Sequence, residues 1–260
     1  MESEILYSRN VRDGVAWAEI TLNRPQKGNA LTLPMLDELE SHIAAVRSDH
    51  AVRVVVLKGN GRFFCTGGDI EAWGSLTPNQ MARDWILRGI AIFDQLATLP
   101  QPVIAAISGH AIGGGLELAL AADLRIGVRA AKFGTPEVTL GMIAGWTGVR
   151  RLAETIGVAR AQHLTLLGSL IPAEQAYEWG LLTAIADDTA GLEEQIAQWL
   201  DRLLSNAPIA MALTKGLLKS MHQDARHAHA SAAAQAAATE DCREGVRAFA
   251  EKRKPVFRNQ

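Results

Sequence analysis

Cysteine is scarce in this chain: Cys65 and Cys242 are the only two in 260 residues. That excludes a disulfide scaffold and a cysteine-based zinc site, and it suits a reducing compartment. A surplus of positive charge is also missing, because 26 Lys and Arg stand against 28 Asp and Glu, a net charge of −2. A phosphate backbone then finds no bulk field to hold it, so nucleic acid is not an expected partner, although a local basic cluster can still bind a phosphorylated small molecule. No apolar run nears the roughly 20 residues of a membrane span, and the start, Met1-Glu2-Ser3-Glu4, lacks the basic stretch of a secretory signal. The expectation is a cytoplasmic protein with no membrane partner.

Several ligand motifs are absent as well. There is no Gly-x-Gly-x-x-Gly, no Lys-Ser/Thr pair after the glycine run at Gly113 to Gly115, and no Gly-x-Ser-x-Gly elbow, which argues against dinucleotide binding, a phosphate loop and a serine hydrolase. His227-Ala-His229 is no metal pair, since residues two apart on a helix face different ways. No metal is expected.

What the chain does have is core material: 48% hydrophobic and 21% charged residues, enough for one large unit with an appendage. Val15, Trp17, Glu19 and Thr21 alternate with Ala16, Ala18, Ile20 and Leu22, which predicts a strand. Thr32 as N-cap, Pro34 in the first turn and the recurrence of Leu33, Leu36, Leu39, Ile43 and Val46 predict a helix to about Ser48. Val52 to Leu57 and Val103 to Ile107 read as strands buried on both faces. The alternation of strands and helices over about residues 15 to 130 predicts βαβ units. From Thr147 onward the pattern is helical apart from a short strand near Leu182 to Ile185, with a composition shift near residue 190. The expected division is a core of residues 1–190 and a helical region of residues 191–260, in which nine alanines between residues 225 and 238 favour helix. No internal repeat is visible.

Both buried strands run into glycine-rich sequence, Phe63-Phe64-Cys65-Thr66-Gly67-Gly68-Asp69-Ile70 and Gly109-His110-Ala111-Ile112-Gly113-Gly114-Gly115-Leu116-Glu117. Strand ends of this kind gather helix N-termini and bare amides, and consecutive glycines before a helix aim N–H groups at one spot, suited to a developing oxyanion. Glu117, flanked by Leu116 and Leu118, has two open readings: a helix-start carboxylate favoured by the dipole, or a catalytic acid or base. Glu137 lies in the constrained stretch Phe133-Gly134-Thr135-Pro136-Glu137. Two glutamates in apolar, glycine-rich settings suggest a pair whose proton affinities are pushed apart. Cys65 lacks a local histidine partner and His110 reads as a packing or hydrogen-bonding residue.

Leu22-Asn23-Arg24-Pro25 with Asn29-Ala30-Leu31, the Phe64 to Ile70 segment, Pro102 to Ala106 leading into Gly109 to Glu117, Phe133 to Gly141, and Glu251-Lys252-Arg253-Lys254-Pro255 together resemble the enoyl-CoA hydratase/isomerase, or crotonase, superfamily. The resemblance runs from about Leu22 to the C-terminus. It implies an α/β crotonase-like spiral of ββα units with a C-terminal helical trimerisation region, assembly as a homotrimer or a homohexamer, and acyl-CoA thioester substrates, with no cofactor beyond the coenzyme A of the substrate. It further implies an oxyanion hole made by the amides of Gly68 and Gly114, with Glu117 and Glu137 as the acid–base pair of a hydratase acting on trans-2-enoyl thioesters. An isomerase, a specialised hydroxyacyl-CoA dehydratase or a thioester hydrolase of the same fold is the alternative. For substrate contacts the resemblance points to Gln26, Lys27 and Ala30, to Gly68, Asp69 and Ile70, to Gly114, Gly145 and Trp146, and to Phe249 and Lys252, the last two reaching the nucleotide end within a basic cluster that includes Arg243, Arg247, Arg253 and Lys254.

The chain departs from the family pattern at two places. Gln26 stands where many hydratases have lysine after the Arg-Pro pair, and Gly141-Met142-Ile143-Ala144-Gly145-Trp146-Thr147-Gly148 replaces Gly-x-x-Pro-Gly-Ala/Gly-Gly-Gly. Trp146 therefore either lines the acyl pocket or turns outward into packing, and Trp73 to Trp85 is the expected lining of the acyl end.

Overall fold

The computed structural model describes residues 3–219, 234–235 and 238–260. The side chain of Phe249, most of the alanine-rich stretch and the His227-Ala-His229 pair lie outside that description. The expected strand is β2 (Val15–Leu22), and its alternation is borne out, with Ala16, Ala18, Ile20 and Leu22 fully buried and the intervening residues half-buried. Its partner β1 (Ile5–Arg12) pairs with it antiparallel through the Asp13-Gly14 turn, in which both residues have positive φ. β1 escaped the sequence reading because most of it is exposed and carries no alternation; Asp-Gly between two runs was the available signal.

The helix expected after Thr32 is α1 (Leu33–Ser48), capped by the Thr32 hydroxyl, which accepts from the Met35 N–H. Met35 joins Leu36, Leu39, Ile43 and Val46 on its buried face, while Leu33 is only half-buried. From here the chain repeats one unit. β3 (Val52–Gly59) turns into β4 (Phe63–Cys65), followed by a helical turn at Ile70–Trp73 and a run, α2, made of Pro78–Gln80, a π-helical Met81–Leu87 and Arg88–Ala97. β5 (Val103–Ile107) turns into β6 (His110–Ile112) and α3 (Gly114–Ala121); β7 (Leu124–Val128) turns into β8 (Lys132–Gly134).

The result is two sheets. One has six strands in the order β1-β2-β3-β5-β7-β10, where β10 is Ala184–Ala186, parallel from β2 onward; the other has four, β4-β6-β8-β9, with only β9 (Leu170–Pro172) antiparallel. The residue pattern alone predicts βαβ, whereas the fold inserts a second strand after each buried one. Those strands are three residues long, too short for periodicity to register. Passing from one sheet to the other requires glycine: a side chain at Gly109 would overlap the Arg62 carbonyl.

After α4 (Gly148–Ile156), α5 (Val158–Leu167), α6 (Ala173–Glu178) and β10 (Ala184–Ala186), helix α7 (Thr189–Ser205) lays Leu192, Ile196, Leu200 and Leu204 on the common core. Pro208 opens α8 (Pro208–Lys219), and the last described helix is α9 (Glu240–Ala250). The tail beyond it is tied back by Arg53, which donates to the Phe257 carbonyl at 2.6 Å, and by Asn259, which donates to the His50 carbonyl at 3.3 Å.

Candidate active site

The glycine-rich ends of β4 and β6 meet. Gly67 and Gly114 approach so closely that a side chain at Gly67 would lie 3.1 Å from the Gly114 nitrogen, and one at Gly114 would lie 3.4 Å from the Gly68 nitrogen. Gly114 opens α3, so its N–H has no intrahelical acceptor. The amides beside Gly68 are occupied: Leu31 donates to the Gly67 carbonyl and Asp69 to the Leu31 carbonyl, both at 2.8 Å. Among the described residues the Gly68 N–H itself has no acceptor. Two neighbouring donors thus open on a cleft lined by Gly68, Ile70, Gly114, Glu117, Glu137, Gly145 and Trp146.

Asn29 builds the loop that carries Gly68 into place. Fully buried and at φ 56, it donates to the carbonyls of Asn60, Phe63 and Phe64 and accepts from the Arg24 N–H. Arg24 in turn donates to the Ala30 carbonyl at 3.0 Å and pairs with Asp69 at 2.6 Å. Burial pushes the Asp69 carboxyl up, but Arg24 and the amides of Ala72 and Glu71 overcome it and hold it below the usual range. The side chains of this pair are only 14% and 8% exposed, and removing one partner of a buried pair costs about 3 kcal/mol. Arg24→Ala is therefore expected to lower the melting temperature by several degrees and to raise KM for any ligand held at Gly68, measured by thermal unfolding and steady-state kinetics.

Glu117 projects from the first turn of α3 and is 2% exposed. Its Oε1 accepts from Trp146 N at 2.8 Å and Gly148 N at 2.7 Å. The residue between them, Thr147, sits at φ 65, a conformation that costs a β-branched residue about 1–3 kcal/mol. This kink aims two N–H groups at one oxygen, a concave anion site at the start of α4. Glu137 faces the same cleft from the turn after β8, and its buried Oε2 has no hydrogen-bond partner among the described residues. Burial and the neighbouring Glu137 charge push the Glu117 carboxyl up to about 8, against the pull of the two amides and of Arg151. Burial raises Glu137 as well. Such a pair holds one proton near neutrality, presenting one carboxylic acid and one carboxylate to the same space.

Gly68, Ile70, Gly114, Gly145, Trp146 and both glutamates come together, and Trp73 and Trp85 join them from the expected segment. Trp146 lines the cleft and is not turned outward. Other expected contacts stand apart from it. Gln26 is exposed, Lys27 pairs with Glu71 at 3.2 Å, Ala30 is held by Arg24, and Asp69 is committed as the N-cap of Ile70–Trp73. Lys252 is exposed and is not among the residues that line the cleft; the tail beyond it is anchored at Phe257 and Asn259 by Arg53 and His50. The basic cluster is also largely neutralised: Arg243 pairs with Glu240, Arg247 with Glu244, and Arg253 with Glu244 and Glu251. Cys65 is structural, its thiol pushed up to about 12 by burial, and His110 accepts the Lys132 N–H at 3.1 Å. Met142 and Ile143, which line the cleft, and Gly148, which donates to Glu117, were not among the expected site residues, because only the folded turn brings this stretch to the cleft.

A spiral of two-strand units with paired amides and paired carboxylates at one cleft defines a crotonase-fold enzyme. The sequence pattern of the enoyl-CoA hydratase/isomerase family matches residues 12–260, and the chain belongs to that family. It is 36% identical to the crotonyl-CoA hydratase of Syntrophomonas wolfei, covering 92% of this chain and 94% of that one. It is 37% identical to the (E)-benzylidenesuccinyl-CoA hydratase of Thauera aromatica, covering 93% and 95%. The crystal structure of enoyl-CoA hydratase from Bacillus anthracis superposes with a TM-score of 0.92 at 34% identity, over 99% of this chain and 100% of that one.

Proposed function

We propose that the chain adds water reversibly across the 2,3 double bond of an enoyl-CoA thioester, with coenzyme A entering only as part of the substrate and no further cofactor. The observation that carries this reading is the juxtaposition of the Gly68 and Gly114 amides with the buried Glu117 and the half-buried Glu137 in one cleft. The thioester oxygen accepts from both amides. One carboxylate takes a proton from water as its oxygen adds to C3, the electrons move to the thioester oxygen as an enolate, and the other carboxyl delivers its proton to C2. The pair ends with one proton, as it began. Losing one oxyanion donor in such a site typically costs about 3 kcal/mol of transition-state stabilisation.

The test is the loss of conjugated-thioester absorbance when the protein meets crotonyl-CoA; rapid loss supports the reading and none overturns it. The shared proton gives a pH dependence with a definite sign. Because Glu117 is raised to about 8, kcat falls as pH rises past about 8, when the pair loses its proton, and falls again in acid when both carboxyls are protonated. A bell-shaped kcat–pH profile with its basic limb near 8 is the expected result; a profile rising without limit into alkali goes against a one-proton pair.

Assembly belongs to the same reading. Leu166 and Leu167 at the end of α5 are 68% and 66% exposed, apolar surface suited to a second copy, and Lys252, exposed on the tail, is open to a neighbouring subunit's ligand. A homotrimer or a pair of trimers meets both features, and light scattering in solution reads the outcome.

A further inference from the structure

Trp146 stands where the family pattern has a small residue, and its ring is held in place from both edges while it lines the cleft. Its Cζ3 and Cε3 occupy the space a side chain at Gly114 would need, at 2.5 and 2.9 Å from that Cβ position, so the indole lies directly against the backbone that offers the Gly114 amide. The opposite edge donates from Nε1 to the Trp85 carbonyl at 3.0 Å and leaves no room for a side chain at Gly89. Trp85 packs 5.1 Å away at 42° and Phe93 meets it edge-on at 5.2 Å. The second amide is walled in the same manner, since a Cβ at Gly68 would lie 2.7 Å from Trp85 Cζ2 and 3.2 Å from Trp73 Cδ1. Ile86, from the π-helical part of α2, seals the gap against Gly145. Trp146 and Trp85 are 2% and 4% exposed.

We propose that Trp146, pinned between Gly114 and the Trp85 carbonyl, is the end wall of the acyl pocket, so that the enzyme takes short, uncharged acyl groups of crotonyl size and rejects medium and long chains. The inference rests on the acyl-thioester reading above for the identity of the ligand. With the carbonyl fixed at the two amides and C3 at the glutamates, the next carbons meet indole and Ile86. Rotation of Trp146 to admit them requires breaking its hydrogen bond and emptying a packed aromatic cluster. Uncharged is required because, among the described residues, the only charged side chains lining the cleft are Glu117 and Glu137, which offer a second carboxylate on the acyl group repulsion and no cation.

The experiment compares kcat/KM for crotonyl-, hexenoyl- and decenoyl-CoA in the wild type and in Trp146→Ala, with Trp146→Phe as the milder variant where the alanine protein does not fold. Calorimetric binding of unreactive butyryl- and decanoyl-CoA accompanies it. The expected result is a fall of about 100-fold from crotonyl to decenoyl in the wild type, with decenoyl gaining at least about tenfold relative to crotonyl in the variants. Decenoyl turnover within about threefold of crotonyl in the wild type, or a chain preference that neither variant moves, overturns the proposal. Absence of hydration with butyryl-CoA bound and decanoyl-CoA excluded overturns the hydratase reading and supports the wall. Equal binding of both saturated thioesters overturns the wall whatever the chemistry.

Discussion

Glu117→Gln and Glu137→Gln are each expected to lower kcat for crotonyl-CoA hydration by about 10³-fold while KM changes little. Glutamine is the informative replacement because its Oε1 still accepts from the Trp146 and Gly148 amides at the positions now 2.8 and 2.7 Å from the carboxylate. The turn, the helix start and the cleft persist; only proton transfer is lost. The two glutamates act as one unit holding one proton, so the double variant is expected to be little slower than either single one. Progress curves at saturating and limiting substrate separate kcat from KM. Retention of most of the hydration rate in one single variant would mean that the remaining glutamate alone carries the proton transfer, and the matched-pair assignment would fall.

How far the sequence reaches depends on whether a feature is local. β2, α1, β3 and β5 were legible because alternation, capping and unbroken β-branched runs are written within each segment, and their buried residues match. The three-residue strands β4, β6 and β8 carry no period, and the second sheet is therefore invisible without the resemblance. At the site, Glu117 on the start of α3 and the glycine amides follow from local spacing. The partners of Glu117 lie 29 and 31 residues away at Trp146 and Gly148, and only the turn at Thr147 brings them round. The side-chain neutralisation of Arg243, Arg247 and Arg253 was likewise hidden, since a cluster of basic residues looks available until the intervening Glu240, Glu244 and Glu251 are placed.

Gly148→Ala sets two physical effects against each other at the centre of the site. Gly148 opens α4, and helix propensity by itself makes alanine there more stable by about 0.5–1 kcal/mol. Against that, the new Cβ would overlap Cγ, Cδ and Oε1 of Glu117, a side chain that is 2% exposed and can give way only by moving into the cleft it lines, away from its position against the Trp146 and Gly148 amides. Across the pair, a side chain at Gly113 would come within 2.7 Å of Glu137 Oε1, so both carboxyls sit against glycine backbone. An error of about 1 Å in a reacting group costs about 100-fold in rate, far beyond what the propensity term returns. The expected outcome is a kcat for crotonyl-CoA lowered at least about 100-fold, with retained binding of the unreactive butyryl-CoA, whose carbonyl contacts at Gly68 and Gly114 are untouched. A variant with wild-type kcat and a higher melting temperature would mean that Glu117 can move without consequence, and the packed turn would then have no part in setting the acid–base geometry.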